Sequence, residues 1–134
     1  MKSKKQAIVD LLMAMETGDP MAVGVINEDN YKQHNPMTND GGKGIAQLFQ
    51  NIALTNPKVE IKRVFQDGDI VFAHGLYDFG NKNVVFEVFR FDDEQTVEHW
   101  DNLTDIAEDV NASGRGQLDG TTVLKDLELT DTNK

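Results

Sequence analysis

The spacing of the apolar residues changes once along this chain, from helical to extended, and this change constrains the fold more than any other feature. Before about residue 56, apolar residues recur every three or four positions, as on one face of an α-helix. From residue 58 they alternate with polar residues, as in a β-strand with one face in water. Helices followed by an antiparallel meander predict an α+β fold, with the helices packed on one face of the sheet.

Three helices are predicted in the first part of the chain. Ser3 and Gln6 form a capping box at the start of the first helix. The second begins at Asp19, with Pro20 in its first helical position. The third presents one apolar face made of Ile45, Leu48, Phe49 and Ile52.

Four strands are predicted in the second part, and two of their turns decide how the strands pair. The strands lie around 58–63 and over 70–79, 84–91 and 95–103. Gly80-Asn81 predicts a two-residue hairpin turn. Asp92-Asp93-Glu94 predicts a three-residue loop with Glu94 in the left-handed conformation.

These turn lengths predict which side chains lie opposite one another. The first turn pairs His74 with Glu87, and the second pairs Glu87 with His99. Directly paired side chains share a face of the sheet, so the three residues are expected to form one row. A two-residue second turn would instead place Trp100 opposite Glu87 and remove His99 from the row.

The face that carries this row is otherwise an apolar wall. Phe72 and Phe89 belong to it, and Asp101 is a second carboxylate placed diagonally to the row. A buried carboxyl group has its ionised form disfavoured, which suits a general acid or base near neutral pH. Glu87 is therefore the candidate catalytic residue; the alternative is a structural carboxylate neutralised by a neighbouring histidine.

The histidines and the loop before Pro36 supply the other candidate site residues. His74 and His99 either assist Glu87 and bind a ligand oxygen or are satisfied interior histidines. A carboxylate between two histidines also matches a metal triad, but a flat row separates the outer two by ~10 Å, so no metal is predicted. Tyr31, His34 and Asn35 are expected near the pocket mouth, as ligand-binding groups or as ordinary packing and loop contacts.

The opposite face of the predicted sheet is also rich in large apolar groups. Tyr77 and Trp100 are placed there, together with a diagonal ion pair between Arg90 and Glu98. A sheet that is apolar on both faces must be covered on both. Because the helices cover one face, a second subunit is predicted to cover the other, giving a homodimer.

Three stretches of the chain resemble the SnoaL-like polyketide cyclase family of the nuclear transport factor 2-like superfamily. They are YKQHNP at 31–36 with Asp40-Gly41, EVFRF at 87–91 and VEHWD at 97–101. The likeness spans roughly residues 3–105. It implies a cone-shaped curved antiparallel sheet wrapped by three N-terminal helices, as in cystatin-like folds, with an apolar pocket and a dimer through the outer face of the sheet.

The resemblance also implies a chemistry. In the family's cyclases an acidic residue acts as acid and base in an intramolecular aldol closure, and Glu87 matches its position, where those enzymes have Asp. His74 matches an assisting histidine. In the related ketosteroid isomerases the general base falls at Asn35, which cannot take up a proton at neutral pH, so isomerase chemistry of that type is not expected.

Composition limits the partners and the compartment. Thirteen basic and 23 acidic residues give a net charge of −10, which argues against nucleic acid and anionic membranes as partners. There is no Cys, and no apolar run is long enough to span a bilayer. The basic start is followed by a helical pattern rather than a signal core, so a cytoplasmic protein is expected.

The predicted function follows from these points. Residues 1–110 are expected to form the SnoaL-like domain, and 111–134 a C-terminal loop and arm that either belongs to the same domain or is partly disordered. The protein is expected to bind a small apolar carbonyl compound and, if it is an enzyme, to catalyse aldol-type cyclisation or enolisation without a cofactor. The alternatives are a non-catalytic ligand-binding or dimeric interaction module and a protein-binding adapter.

Overall fold

Two α-helices, a 3₁₀ helix and a five-stranded sheet make up the computed structural model, which describes residues 2–38 and 40–124. The elements are α1 (Lys4–Thr17), the 3₁₀ helix (Pro20–Val25), β1 (Lys32–Gln33), α2 (Gly41–Ala53), β2 (Lys58–Asp67), β3 (Ile70–Asp78), β4 (Lys82–Asp92) and β5 (Gln95–Asp105). The α+β class is confirmed. The second of the three predicted helices is the short 3₁₀ helix.

Local sequence signals set the ends of the first two elements. The Ser3 hydroxyl accepts a hydrogen bond from the backbone N–H of Gln6 at 3.0 Å, and Gly18 ends α1 in the left-handed conformation at φ 74°. Asp19 caps the 3₁₀ helix by accepting from the N–H of Met21 at 3.0 Å. The buried face of α1 packs on β2 and β3 and supplies much of the core.

The strand order is β1-β5-β4-β3-β2, and β1 is the element that the meander alone does not explain. β1 runs parallel to β5, with Gln33 paired to His99. The N–H of His34 donates to the carbonyl oxygen of His99 at 3.1 Å. This pairing brings the segment from Tyr31 to Asn35 alongside the candidate residues of β5.

The hairpin between β3 and β4 differs from the prediction by one residue. Asp78 pairs with Lys82, so the loop has three residues, with Gly80 at φ 101°. His74 consequently pairs with Phe86 rather than with Glu87. A shift of one residue moves every side chain of a strand to the other face.

This shift reverses the predicted orientation of β3. Val71, Ala73 and Tyr77 are buried on the inner face of the sheet, under the helices. Phe72 and His74 lie on the outer face instead of on the inner apolar wall. The predicted row of His74, Glu87 and His99 is therefore wrong at its first member.

The hairpin between β4 and β5 also differs from the prediction, but two deviations there offset each other and leave the predicted faces of the strands unchanged. Asp92 pairs with Gln95 across a two-residue loop, and Asp93 rather than Glu94 has the positive φ, 59°. A register shift between Arg90 and Phe91, as at a β-bulge, then moves the pairing of the two strands by one further residue. The inner face of β4 and β5 is therefore the predicted one.

The final pairing places the second carboxylate closer to Glu87 than expected. Asp101 lies directly opposite Glu87, and His99 lies opposite Phe89 and diagonal to Glu87. The side chains of Glu87, His99 and Asp101 share the inner face.

Three phenylalanines are exposed along β2, β3 and β4: Phe65, Phe72 and Phe86. Farther along the sheet, Arg90 donates from Nε and Nη2 to Oε1 of Glu98, both at 3.0 Å. The predicted ion pair is confirmed, between directly paired rather than diagonal residues.

The segment after β5 is attached to the edge of β2. The N–H of Val64 donates to the carbonyl oxygen of Val123 at 3.0 Å, and Arg63 donates to the carbonyl oxygens of Leu118 and Asp119, each at 3.1 Å. The part of the predicted arm beyond residue 124 lies outside the described residues. Within the described part of the chain, no helix is both long and apolar enough to cross a membrane.

Candidate functional site

A cavity of about 210 Å³ lies between the two α-helices and the inner face of the sheet. Its walls are mostly apolar and come from α1, α2 and the strands. Phe79 and Leu103 line it and are partly exposed, which marks the side open to solvent. Because an apolar cavity of about 150 Å³ accepts benzene, this one has room for one or two small rings.

Glu87 is the central polar group of this cavity. Its side chain is only 5% exposed. Oε2 accepts a hydrogen bond from the hydroxyl of Tyr77 at 2.6 Å, and Oε1 lies 2.5 Å from Nε2 of His99. Both carboxylate oxygens are therefore held by buried partners.

His99 is oriented by Gln33 on the neighbouring strand β1. The N–H of Asn35 donates to Oε1 of Gln33 at 3.0 Å, which identifies that atom as the amide oxygen. The same oxygen lies 2.6 Å from Nδ1 of His99. Since an amide oxygen can only accept, Nδ1 must carry a proton and donate it.

This arrangement leaves one proton between Glu87 and His99. With Nδ1 protonated, either Nε2 also carries a proton and faces a carboxylate, or Nε2 is bare and faces a carboxylic acid. Both states make a hydrogen bond between the same two atoms. Whichever atom carries this proton, the hydrogen bonds that the neighbouring side chains make to the pair are the same.

Asp101 adds a second carboxylate beside this pair. Asn35 donates from Nδ2 to Oδ2 of Asp101 at 2.9 Å, while its own Oδ1 accepts from the N–H of Met37 at 2.8 Å. Oδ2 lies 3.9 Å from Nε2 of His99. The His99 imidazole thus hydrogen-bonds Glu87 and lies near the carboxylate of Asp101, in a site with little access to water.

Two tyrosine hydroxyls face these acidic groups. Burial, followed by the negative charge of Glu87, raises the pKa of both Tyr31 and Tyr77 above the ordinary value of 10.0. The ring of Tyr31 stacks on the imidazole of His99, with centroids 6.3 Å apart and planes 11° apart. Both phenols consequently stay protonated, so each hydroxyl can donate a hydrogen bond.

Glu87, His99 and Asp101 are also close enough to be considered as metal ligands. Their candidate ligand atoms lie within 4.8 Å of one another. Two ligands on one ion at ~2.1 Å each are typically about 3 Å apart, farther than the 2.5 Å between Oε1 and Nε2. A cation would therefore have to separate Glu87 from His99, and the absence of a metal stays a prediction.

The cavity brings together most of the predicted site residues. Those that line it are Tyr31, Asn35, Glu87, Phe89, His99 and Asp101. His34, His74 and Phe72 do not.

His74 and Phe72 lie on the outer face because of the shifted hairpin. Nδ1 of His74 lies 3.2 Å from Nη1 of Arg63 and accepts from that guanidinium. Partial burial and the Arg63 charge lower the pKa of His74 below 6.5. An assisting role for His74 beside Glu87 is therefore incompatible with its position.

His34 contacts the outer face rather than the cavity. Its ring stacks on Trp100, with centroids 5.0 Å apart, and Nε2 lies 2.8 Å from Oε2 of Glu98. Alternation along the short β1 strand explains this, because Gln33 and Asn35 point inward and the residue between them points outward.

Tyr77 and Gln33 contact Glu87 and His99 in the candidate site, and the sequence analysis missed both. Tyr77 was assigned to the outer face through the wrong hairpin length. The signal that could have placed it is the one-sided pattern of β2, because Val59 is buried and pairs with Tyr77. Gln33 had no such signal, since its role depends on β1 pairing with β5.

Known proteins share this architecture. Residues 8–99 match the family described as SnoaL-like domain. No curated protein matches the chain. Among solved structures, a putative polyketide cyclase from Bacillus cereus is 19% identical with a TM-score of 0.63, over 72% of this chain and 71% of that one.

Two further solved structures carry different descriptions on the same fold. IdmH, a putative polyketide cyclase from Streptomyces antibioticus, is 18% identical with a TM-score of 0.62, over 75% of this chain and 91% of that one. An epoxide hydrolase from M. tuberculosis, described as LEH-like, is 22% identical with a TM-score of 0.62, over 75% and 82%. At these identities the likeness establishes the fold and not the reaction.

Proposed function

Since this chain belongs to the SnoaL-like domain family, we propose that it binds a small, mostly apolar carbonyl compound and catalyses acid–base chemistry on it without a cofactor. The reaction class is enolisation, or the intramolecular aldol closure that enolisation begins. Solved structures with this fold are described as putative polyketide cyclases and as an epoxide hydrolase, so the fold leaves the reaction open. The choice among these rests on the geometry of the site.

The observation that carries this proposal is the close hydrogen bond between Glu87 and His99 at the polar end of an apolar cavity. Glu87 Oε1 and His99 Nε2 are 2.5 Å apart, and both side chains are almost fully buried. Removal of a proton next to a ketone needs a base that is held in place and kept from bulk water. The carboxylate of Glu87 meets both conditions.

The reaction proceeds by moving one proton out and back. Glu87 as carboxylate takes a proton from the carbon beside the ligand's carbonyl group, which leaves an enolate. In a cyclisation the enolate carbon forms a bond to a second carbonyl carbon of the same molecule, and the resulting alkoxide takes the proton back from Glu87. Protonated His99 balances the negative charge throughout.

The test is proton exchange in a model ketone. β-Tetralone has two fused rings and exchangeable hydrogens beside its carbonyl, and their exchange in deuterated buffer is followed by NMR against the protein-free rate. Glu87→Gln is expected to slow the protein-dependent exchange by about 10²- to 10⁴-fold. Binding of β-tetralone, measured by calorimetry, should change little.

The matched control is Glu98→Gln, the same substitution on the outer face of the sheet, which should keep the wild-type exchange rate. Exchange that survives Glu87→Gln would remove the catalytic role. Binding without any protein-dependent exchange would favour the non-catalytic ligand-binding module.

We further propose that the protein is a cytoplasmic homodimer that pairs through the outer face of the sheet. Exposed aromatic side chains on neighbouring strands, namely Phe65, Phe72 and Phe86, support this, because such a patch is costly to leave in water. Gel filtration at low micromolar concentration checks it. A particle of 15.0 kDa would contradict the dimer.

A further inference from the structure

Three buried polar groups of the cavity have no hydrogen-bond partner within residues 2–38 and 40–124. They are the hydroxyl of Tyr31, the amide nitrogen of Gln33 and the hydroxyl of Thr38. Tyr31 is 97% buried, since only 3% of its surface is exposed. Buried polar atoms are nearly always paired, so unpaired ones in a cavity indicate where a ligand supplies the partner.

The first two of these groups present donors. The raised pKa of Tyr31 keeps its hydroxyl protonated. The oxygen of the Gln33 amide is already occupied by Asn35 N–H and His99, so its other end is the NH₂ group, which can only donate. A weak contact from this group to the Tyr31 oxygen leaves its second hydrogen and the Tyr31 O–H without an acceptor. A ligand atom that satisfies both must be an acceptor.

The charged side chains around these two donors limit which kinds of ligand acceptor the cavity can bind. Glu87 and Asp101 line the same cavity, and both act electrostatically on Tyr31. A carboxylate or phosphate would be repelled by them in a medium of low dielectric constant. The acceptor is therefore an uncharged oxygen, such as the carbonyl of a ketone or ester.

We propose that Tyr31 and Gln33, with Thr38 beside them, form the subsite that holds the ligand's carbonyl oxygen, and that this subsite selects neutral ketones and esters. Tyr31 stacks on His99 and Gln33 binds His99 Nδ1, so both donors adjoin the Glu87–His99 pair. An oxygen held by them places the neighbouring carbon of the ligand toward Glu87. The reaction expected at this subsite rests on the proposed function, whereas binding of the carbonyl oxygen there does not depend on it.

The test compares three ligands of one shape with two forms of the protein. The probes are β-tetralone, the hydrocarbon tetralin and the cation β-aminotetralin, and binding is measured by calorimetry on the wild-type protein and on Tyr31→Phe. The wild type is expected to bind the ketone more tightly than the hydrocarbon. Tyr31→Phe keeps the ring on His99 and should weaken ketone binding by about five- to tenfold while leaving tetralin unchanged.

The melting temperature of Tyr31→Phe and ligand binding by a second variant distinguish the subsite from a structural role of the Tyr31 hydroxyl. Because the Tyr31 hydroxyl donates to no acceptor among the described residues, Tyr31→Phe should lower the melting temperature little. Thr38→Val is expected to repeat the ketone-selective loss to a smaller extent. A lower melting temperature with equal losses for ketone and hydrocarbon would show a structural hydroxyl and overturn the proposal.

Three other outcomes would also overturn it. Equal affinity for β-tetralone and tetralin, or binding of neither, would mean that the donors do not select the ligand. Tightest binding of β-aminotetralin would mean that the carboxylates do. Ketone-selective binding that depends on Tyr31, without proton exchange, would support the subsite and contradict the proposed reaction.

Discussion

The inner and outer faces of the sheet carry the same kinds of side chain in different surroundings. The inner face has a carboxylate, a histidine and a stacked aromatic ring in Glu87, His99 and Tyr31. The outer face repeats the set in Glu98, His34 and Trp100, with the histidine again hydrogen-bonded to the carboxylate, at 2.8 Å. The two sets are neighbours across a single layer of backbone.

Burial is what distinguishes the two sets chemically. The Glu87 and His99 side chains are 5% and 7% exposed, whereas those of Glu98 and His34 are 17% and 45% exposed. Charges in water are screened, and Glu98 is also paired with the guanidinium of Arg90. Residue type therefore does not identify the site. The proposed proton transfer requires the inner pair, because only there does a cavity limit the access of water.

The largest expected difference between the faces is in catalysis. His99→Gln keeps a hydrogen-bond donor near Glu87 but removes the positive charge that balances the negative charge of the enolate, so protein-dependent exchange of β-tetralone should fall by about hundredfold or more. His34→Gln, the same change on the outer face, should leave the rate unchanged. Similar losses for both variants would contradict the assignment of the site to the inner face.

The next effect is on stability. Tyr77→Phe removes the donor to Oε2 of buried Glu87, and a buried acceptor left unpaired costs about 1–3 kcal/mol of unfolding free energy. His34→Gln, which breaks the exposed contact to Glu98, should change the urea midpoint far less. A Tyr77→Phe midpoint equal to the wild type would show that Glu87 does not depend on this bond.

A third prediction concerns association through the outer face. Replacing both Phe72 and Phe86 by Ser should convert the proposed dimer to a monomer in gel filtration, since these rings supply exposed apolar area. Leu54→Ser is the control, because Leu54 is 88% exposed but follows α2, away from the sheet. Loss of the dimer in the control, and not in the double variant, would move the interface elsewhere.

The smallest effect is the titration of His74 on the outer face. Its pKa lies below 6.5 because partial burial and Arg63 disfavour the imidazolium. The folded state therefore binds this proton less readily than the unfolded chain. The contribution of His74 to stability is full above the unfolded pKa and declines as pH falls through it toward the folded one. An NMR titration of the His74 ring measures this, and a midpoint above 6.5 would contradict the Arg63 contact.

Half of the site follows from strand alternation. On β4 and β5 the odd-numbered residues face inward, and this places Glu87, Phe89, His99 and Asp101 together whether the connecting loop has two residues and a bulge or three residues without one. For β3, no second deviation offset the error in the predicted loop length, so its two faces were exchanged. Both of its faces are apolar, so the pattern did not reveal an error of one residue in the loop at Gly80.

The sequence by itself determined the α+β class, the order of the helices and of the four meander strands, the inner face of β4 and β5, and the identity of the central carboxylate. These depend on periodicity and on short-range turn and cap signals, which act between residues close in the chain. The tertiary structure decided the partners of that carboxylate. Tyr77 reaches Glu87 because of one extra loop residue, and Gln33 orients His99 because β1 adds to the edge of β5. Such contacts depend on register between distant segments, where a change of one residue exchanges the two faces of a strand.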